Sequence, residues 1–144
     1  MATLMTRQQV CDSFGLISPS QRADLMNPSI TTLGLIEFLS ELFEQRGGIW
    51  RGKLVCTAVH SDHPTYDSVN GHSGGNAIDI SQMSSPDDAV VHLVKDIQAC
   101  EMAKGIGLGG PFQAAVATCG PYGPASKLFE DNSTDHIHIQ VVSY

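Results

Sequence analysis

Within Asp135-His136-Ile137-His138-Ile139-Gln140-Val141-Val142, polar and apolar residues alternate from His136 to Val141. A period of two marks a half-buried β-strand, because successive side chains leave opposite faces of the backbone. His136, His138 and Gln140 then share one face, while Ile137, Ile139 and Val141 share the face turned to the core. Such a strand needs neighbours, and two upstream stretches qualify. Leu54 to His60 alternates as well, with Leu54, Cys56, Ala58 and His60 expected on one face and Val55, Thr57 and Val59 on the other. Asn76 to Ser81 is short and follows two glycines; its Ala77-Ile78-Asp79-Ile80 run is β-prone.

Between and before these strands the period changes to that of helices. From Ser29 to Arg46, Leu35, Ile36, Leu39, Leu42 and Phe43 recur at helical spacing until Gly47-Gly48 stops the pattern. A weaker helix is expected from Thr6 to Phe14, ending before Gly15. Ser85-Pro86-Asp87-Asp88 is a helix start, with an N-cap serine, a proline at the first helical position and two acids in the positive first turn. That helix should run to about Lys104, burying Ala89, Leu93, Ile97 and Cys100, with Gly105 placed for a C-terminal cap. Ile106 to Gly110 could form a short strand, and the Gly- and Pro-rich stretch Pro111 to Asn132 reads as a long irregular excursion. The expected fold class is α+β: a single compact domain over residues 1–144, helical in 1–50. The core in 54–142 holds a small antiparallel sheet with helices packed on one side.

A chain of 144 residues with 42% hydrophobic content can bury one ordinary core. The net charge of -7, with only 8 Lys and Arg, excludes nucleic acid as a main partner and offers no attraction to an anionic membrane. No apolar run is long enough to span a bilayer, and the N-terminus lacks the pattern of a signal peptide. Cys11, Cys56, Cys100 and Cys119 form no CxxC pair, so they are read as reduced core thiols, with two disulfides as the alternative outside a cell. There is no P-loop or GxGxxG turn; the glycines from Gly105 to Gly110 follow a helix instead of opening one.

The chemistry gathers in two places, His72 and Asp79 within GHSGGNAIDIS and Asp135, His136 and His138 within TDHIHIQ. Zinc favours imidazole nitrogen and carboxylate oxygen, and a catalytic zinc keeps three protein ligands and one open position. Two His and one Asp from these places meet that demand. Asp135, at the mouth of the last strand, is placed to take a proton from an activated water. Taken singly, each feature has a plainer reading: alternating histidines on a strand arise by chance, Asp79 could cap a turn, and GHSGG could be a flexible loop. His63 and His92 read as surface or satisfied core residues. Only the joint occurrence argues for a site.

His72-Ser73-Gly74-Gly75-Asn76-Ala77-Ile78-Asp79 resembles the H-x-x-G-x-A-x-D signature of the zinc D-Ala-D-Ala peptidases. That group contains carboxypeptidases, dipeptidases and phage endolysins and is structurally related to hedgehog signalling domains. Asp135-His136-Ile137-His138 is similar to its second motif, and the likeness runs in order from about Leu54 to Val142. The resemblance implies Zn2+ held by His72, Asp79 and His138, Asp135 as general base, and His136 holding substrate or the developing oxyanion. It departs in two places. Asn70 stands where a serine is common, and Thr57-Ala58-Val59-His60 replaces a turn whose arginine binds substrate. His60, in that substrate-binding place, is a titratable ring and not a bidentate fork. Arg46 and Arg51 read as solvated surface charges.

The function implied is amide hydrolysis in peptidoglycan stem peptides by a monomeric phage-type endolysin or a virion-associated hydrolase. Its partners would be the peptide substrate and, in the second case, virion proteins. The expected location is the host cytoplasm before lysis, or the virion. The alternative is a non-catalytic zinc-binding or assembly module of the hedgehog-like fold.

Overall fold

The structure, a computed structural model, describes residues 4–61, 75–83, 92, 93, 95–97, 99, 115–117 and 137–140. Three helices come first: α1 (Arg7–Ser13), α2 (Pro19–Met26) and α3 (Leu33–Glu44). Among the described residues four strands follow: β1 (Leu54–Ala58), β2 (Ala77–Gln82), β3 (Ala115–Ala117) and β4 (Ile137–Gln140). The strands form one antiparallel sheet in the order β1-β2-β4-β3, so the fold is α+β as its periodicities foretold.

Side-chain oxygens start α1, α2 and α3. Thr6 Oγ1 accepts the Gln9 N–H at 3.1 Å while Gln9 Oε1 accepts the Thr6 N–H at 2.9 Å, closing a capping box on α1. Ser18 and Gln21 repeat that box on α2, where Pro19 occupies the first turn. This second helix is absent from the periodicity reading, because Leu25 is the only apolar residue it buries. Its signature was local: Ser18-Pro19-Ser20-Gln21 is a capping box with proline at the first helical position. Thr32 caps α3, whose buried face holds Leu35, Ile36, Phe38, Leu39, Leu42 and Phe43. The helix ends at Glu44, and the following turn takes Arg46, Gly47 and Gly48 through positive φ.

The core lies between these helices and one face of the sheet. Val10, Cys11 and Phe14 of the first helical segment, with the buried face of α3, pack with Leu54, Cys56, Ile78, Ile80 and Ile139. Phe14 and Phe43 meet edge to face with centroids 5.1 Å apart. Such a contact contributes about 1 kcal/mol beyond its buried area. Cys11 and Cys56 are buried thiols, and burial raises the pKa of Cys11, keeping it in its neutral form. Cys100 and Cys119 lie outside the described residues.

His92, Leu93, Lys95, Asp96, Ile97 and Ala99 are helical within the stretch expected to be a helix, with Leu93 and Ile97 in the core and His92 exposed. The ends of that helix, and the strand expected at Ile106 to Gly110, fall outside the described residues. Asp96 ties this helix to the rest. Its buried carboxylate accepts the Trp50 indole N–H at 2.7 Å, and Arg46 approaches the same oxygen at 3.4 Å. Trp50→Phe should lower unfolding free energy by about 1–2 kcal/mol, since it removes a hydrogen bond to a buried charge; urea melts would measure it, and an unchanged midpoint would refute the assignment.

Two expectations need correction. The stretch Pro111 to Asn132 is not irregular throughout, because Ala115–Ala117 pairs with β4 as an edge strand. Alanine has low strand propensity, so the three residues carry no local signal and the neighbouring strand decides their state. The simple alternation of Leu54 to His60 also fails. Cys56 pairs with Ile80 but Ala58 pairs with Asp79, so a bulge at Thr57 changes the phase. Val59 is consequently in the core with Leu54 and Cys56, although strict alternation put it on the opposite face.

Candidate metal centre

The bulge and the register together build one face of the sheet. Ile78 and Ile80 are core residues, so Asp79 between them belongs to the other side of β2. Asp79 is the register partner of His138, and Ile139, next to His138, is again in the core. Two of the three expected zinc ligands thus stand at directly opposed positions on adjacent strands. Opposed positions have Cβ atoms about 5 Å apart. A carboxylate oxygen and an imidazole nitrogen based at that spacing are able to share one ion at about 2 Å each.

The same row continues across the sheet. Ala58 of β1 pairs with Asp79, and Ala117 of β3 pairs with His138, giving the order Ala58, Asp79, His138, Ala117. Ala77 and Ala115 both pair with Gln140 in the next row. Alanine carries a single methyl, so within this row only positions 79 and 138 hold residues of any length. Nothing in the sequence marked these alanines, because their role depends on register alone.

Asp79 is only 5% exposed. A desolvated carboxylate with an imidazole residue as its cross-strand partner is a donor pair that suits Zn2+. The register thus brings two donor types of that kind to opposed positions. Among the described residues no three His, Cys, Asp or Glu side chains form a metal-holding group. His72, Asp135 and His136, as well as Asn70 and His63, lie outside the described residues.

The approach to β2 is tightly specified. Gly75 has φ of 75°, and a Cβ there would overlap the Ile30 carbonyl oxygen. Its own carbonyl accepts the Thr32 N–H at 3.0 Å. Asn76 is buried, and its Oδ1 accepts the Thr32 hydroxyl at 2.9 Å. The glycine in the motif thus answers a packing demand: the backbone just before β2 lies against the start of α3.

His60 is half-buried and follows the core residue Val59, two positions beyond Ala58, the partner of Asp79. It therefore lies beyond the end of β1, outside that row. Arg46 and Arg51 are turned to other work: Arg46 faces Asp96, and Arg51 pairs with Glu44 at 2.7 Å, each half-exposed. His92 is exposed on its helix. No protein-family model, curated protein or solved structure matches the chain.

Proposed function

We propose that the chain is a zinc metallopeptidase that hydrolyses an amide bond in peptidoglycan stem peptides, of the type used by phage endolysins or virion-associated cell-wall hydrolases. The observation that carries the reading is the cross-strand register of Asp79 with His138. In the proposed site His72 is the third ligand, and Zn2+ when bound supplies Lewis acidity that activates water and polarises a carbonyl. Asp135 takes the proton from the attacking water and delivers it to the leaving amine. His136 donates a hydrogen bond to the developing oxyanion. His60 meets the part of the substrate that an arginine meets in the resembled family, and as a single-point donor it would suit a neutral amide better than a terminal carboxylate. The substrate class rests on the resemblance, and the ligand pair rests on register.

Purified protein of measured zinc content, incubated with bacterial sacculi, should release new amino termini, and a chelator should stop the release. Mass spectrometry of the fragments then names the bond. Zinc uptake with no release would replace this reading by the non-catalytic module. Asp135→Ala should retain zinc and lose about 100-fold or more in turnover, the usual scale of a lost general base; full activity with zinc bound would remove Asp135 from that role.

No helix among the described residues is long and apolar enough to cross a membrane.

A further inference from the structure

We infer that Thr57, the extra residue of the β1 bulge, is a substrate-contacting residue whose hydroxyl hydrogen-bonds to a peptide group held beside the Asp79–His138 pair. The identity of that peptide rests on the proposed function, while the placement of Thr57 rests on register and burial. On β1, Cys56 pairs with Ile80 and Ala58 pairs with Asp79. Thr57 therefore has no register partner of its own and stands with Ala58 opposite Asp79, two residues against one. Burial shows which side it takes. Cys56 and Val59 both belong to the core, so Thr57 and Ala58 between them leave the sheet on the other side, the side of Asp79.

Exposure along that face is uneven. Ala58 and Asp79 are each 5% exposed and Ala77 is fully buried, whereas Thr57 is exposed. Val55 and Ser81, paired with each other one row further along, are half-buried. Among the described residues of this face, the opening beside Asp79 is thus at Thr57, and a peptide approaching from there meets its hydroxyl first. An exposed threonine on a strand is common, because the residue is β-prone. What separates Thr57 from that ordinary case is the bulge, a device that re-aims side chains beside active sites. A regular strand would set one side chain opposite Asp79, and Ala58 would supply only a methyl. The inserted residue adds a group that both donates and accepts. Val55, Thr57 and Ser81 are all uncharged, so the contact suits an amide within a peptide better than a terminal carboxylate.

The test uses the full chain with three substitutions. Thr57→Val keeps the branched shape without the hydroxyl, Thr57→Ser keeps the hydroxyl, and Thr57→Trp adds bulk in a residue type that strands accept. With zinc bound and sacculi as substrate, Thr57→Val should raise the apparent KM about fivefold, the scale of one net hydrogen bond, at parental kcat and zinc affinity. Thr57→Ser should restore most of that loss. Thr57→Trp should lose most of kcat/KM and still take up zinc as the parent does. A parental KM in Thr57→Val, or parental kcat/KM in Thr57→Trp, would overturn the inference. So would weakened zinc binding in Thr57→Val, which would make the hydroxyl a support of the ion pair of strands and not a substrate contact. If the parent releases no amino termini, the peptidase reading fails, and calorimetric titration of the same proteins with a synthetic stem pentapeptide decides Thr57 alone. Binding about fivefold weaker in Thr57→Val than in the parent keeps the contact, and equal binding removes it. A parent that binds no pentapeptide overturns both.

Discussion

On the proposed zinc reading, Asp79→Ala should abolish the stabilisation of the chain by zinc. Asp79 pairs in register with His138 on the adjacent strand and is nearly inaccessible, so no solvent-exposed group can move in to replace it. Loss of a residue that merely orients a ligand weakens metal binding about 10–100-fold, and loss of a ligand itself should reach at least the upper end. The consequence can be read from stability. With free zinc at about 100 times the parental Kd, binding to the native state adds roughly 2.7 kcal/mol. A Kd weakened about 100-fold leaves roughly 0.4 kcal/mol under the same conditions. Thermal melts with and without zinc would therefore show a clear upward shift for the parent and almost none for Asp79→Ala. If Asp79 only ended a turn, the variant would lose zinc-free stability and keep the full zinc-dependent shift, which is the opposite pattern.

Gly75→Ala is expected to cost about 3–5 kcal/mol, the range reserved for substitutions that force backbone to move. Two effects add at this position. A φ of 75° is left-handed, which costs an alanine about 1–2 kcal/mol. The new Cβ would also overlap the Ile30 carbonyl oxygen and press on Thr31 Cα, and both are backbone atoms that cannot rotate away. Relief would require separating β2 from the start of α3, breaking the bond from Thr32 N–H to Gly75 O and disturbing the Thr32–Asn76 contact. Chemical denaturation should place the midpoint far below that of the parent. Gly47→Ala offers a useful contrast, for it has a similar φ of 73° but open space around a Cβ. Equal losses in the two variants would mean that conformational strain alone, and not the close approach to Ile30, governs Gly75.

Much of the architecture was legible because it is written in local periods. The 3.6-residue recurrence of Leu35, Ile36, Leu39, Leu42 and Phe43 identifies α3, and the two-residue alternation around Ile137 and Ile139 identifies β4. Thr6 caps the start of α1, which ends before Gly15 as expected. The helix α2 escaped that reading because a short polar helix with one buried leucine has almost no period to detect. The third strand escaped because three small residues take their state from the strand beside them.

The site divides along the same line. By itself the sequence determined the donor types and the alternation that separates Asp79 and His138 from the isoleucines beside them. These depend on contacts between residues a few positions apart, where backbone geometry leaves few choices. Only the tertiary structure decided that position 79 lies opposite position 138, that alanines flank the pair, that Gly75 closely approaches Ile30, and that a bulge at Thr57 realigns β1 with that row. It alone brought Asp24 to Ser61 and Thr32 to Asn76. Strand register and helix docking join residues tens of positions apart. They are chosen by which burial pattern satisfies the whole core at once, and no local window of sequence contains that sum.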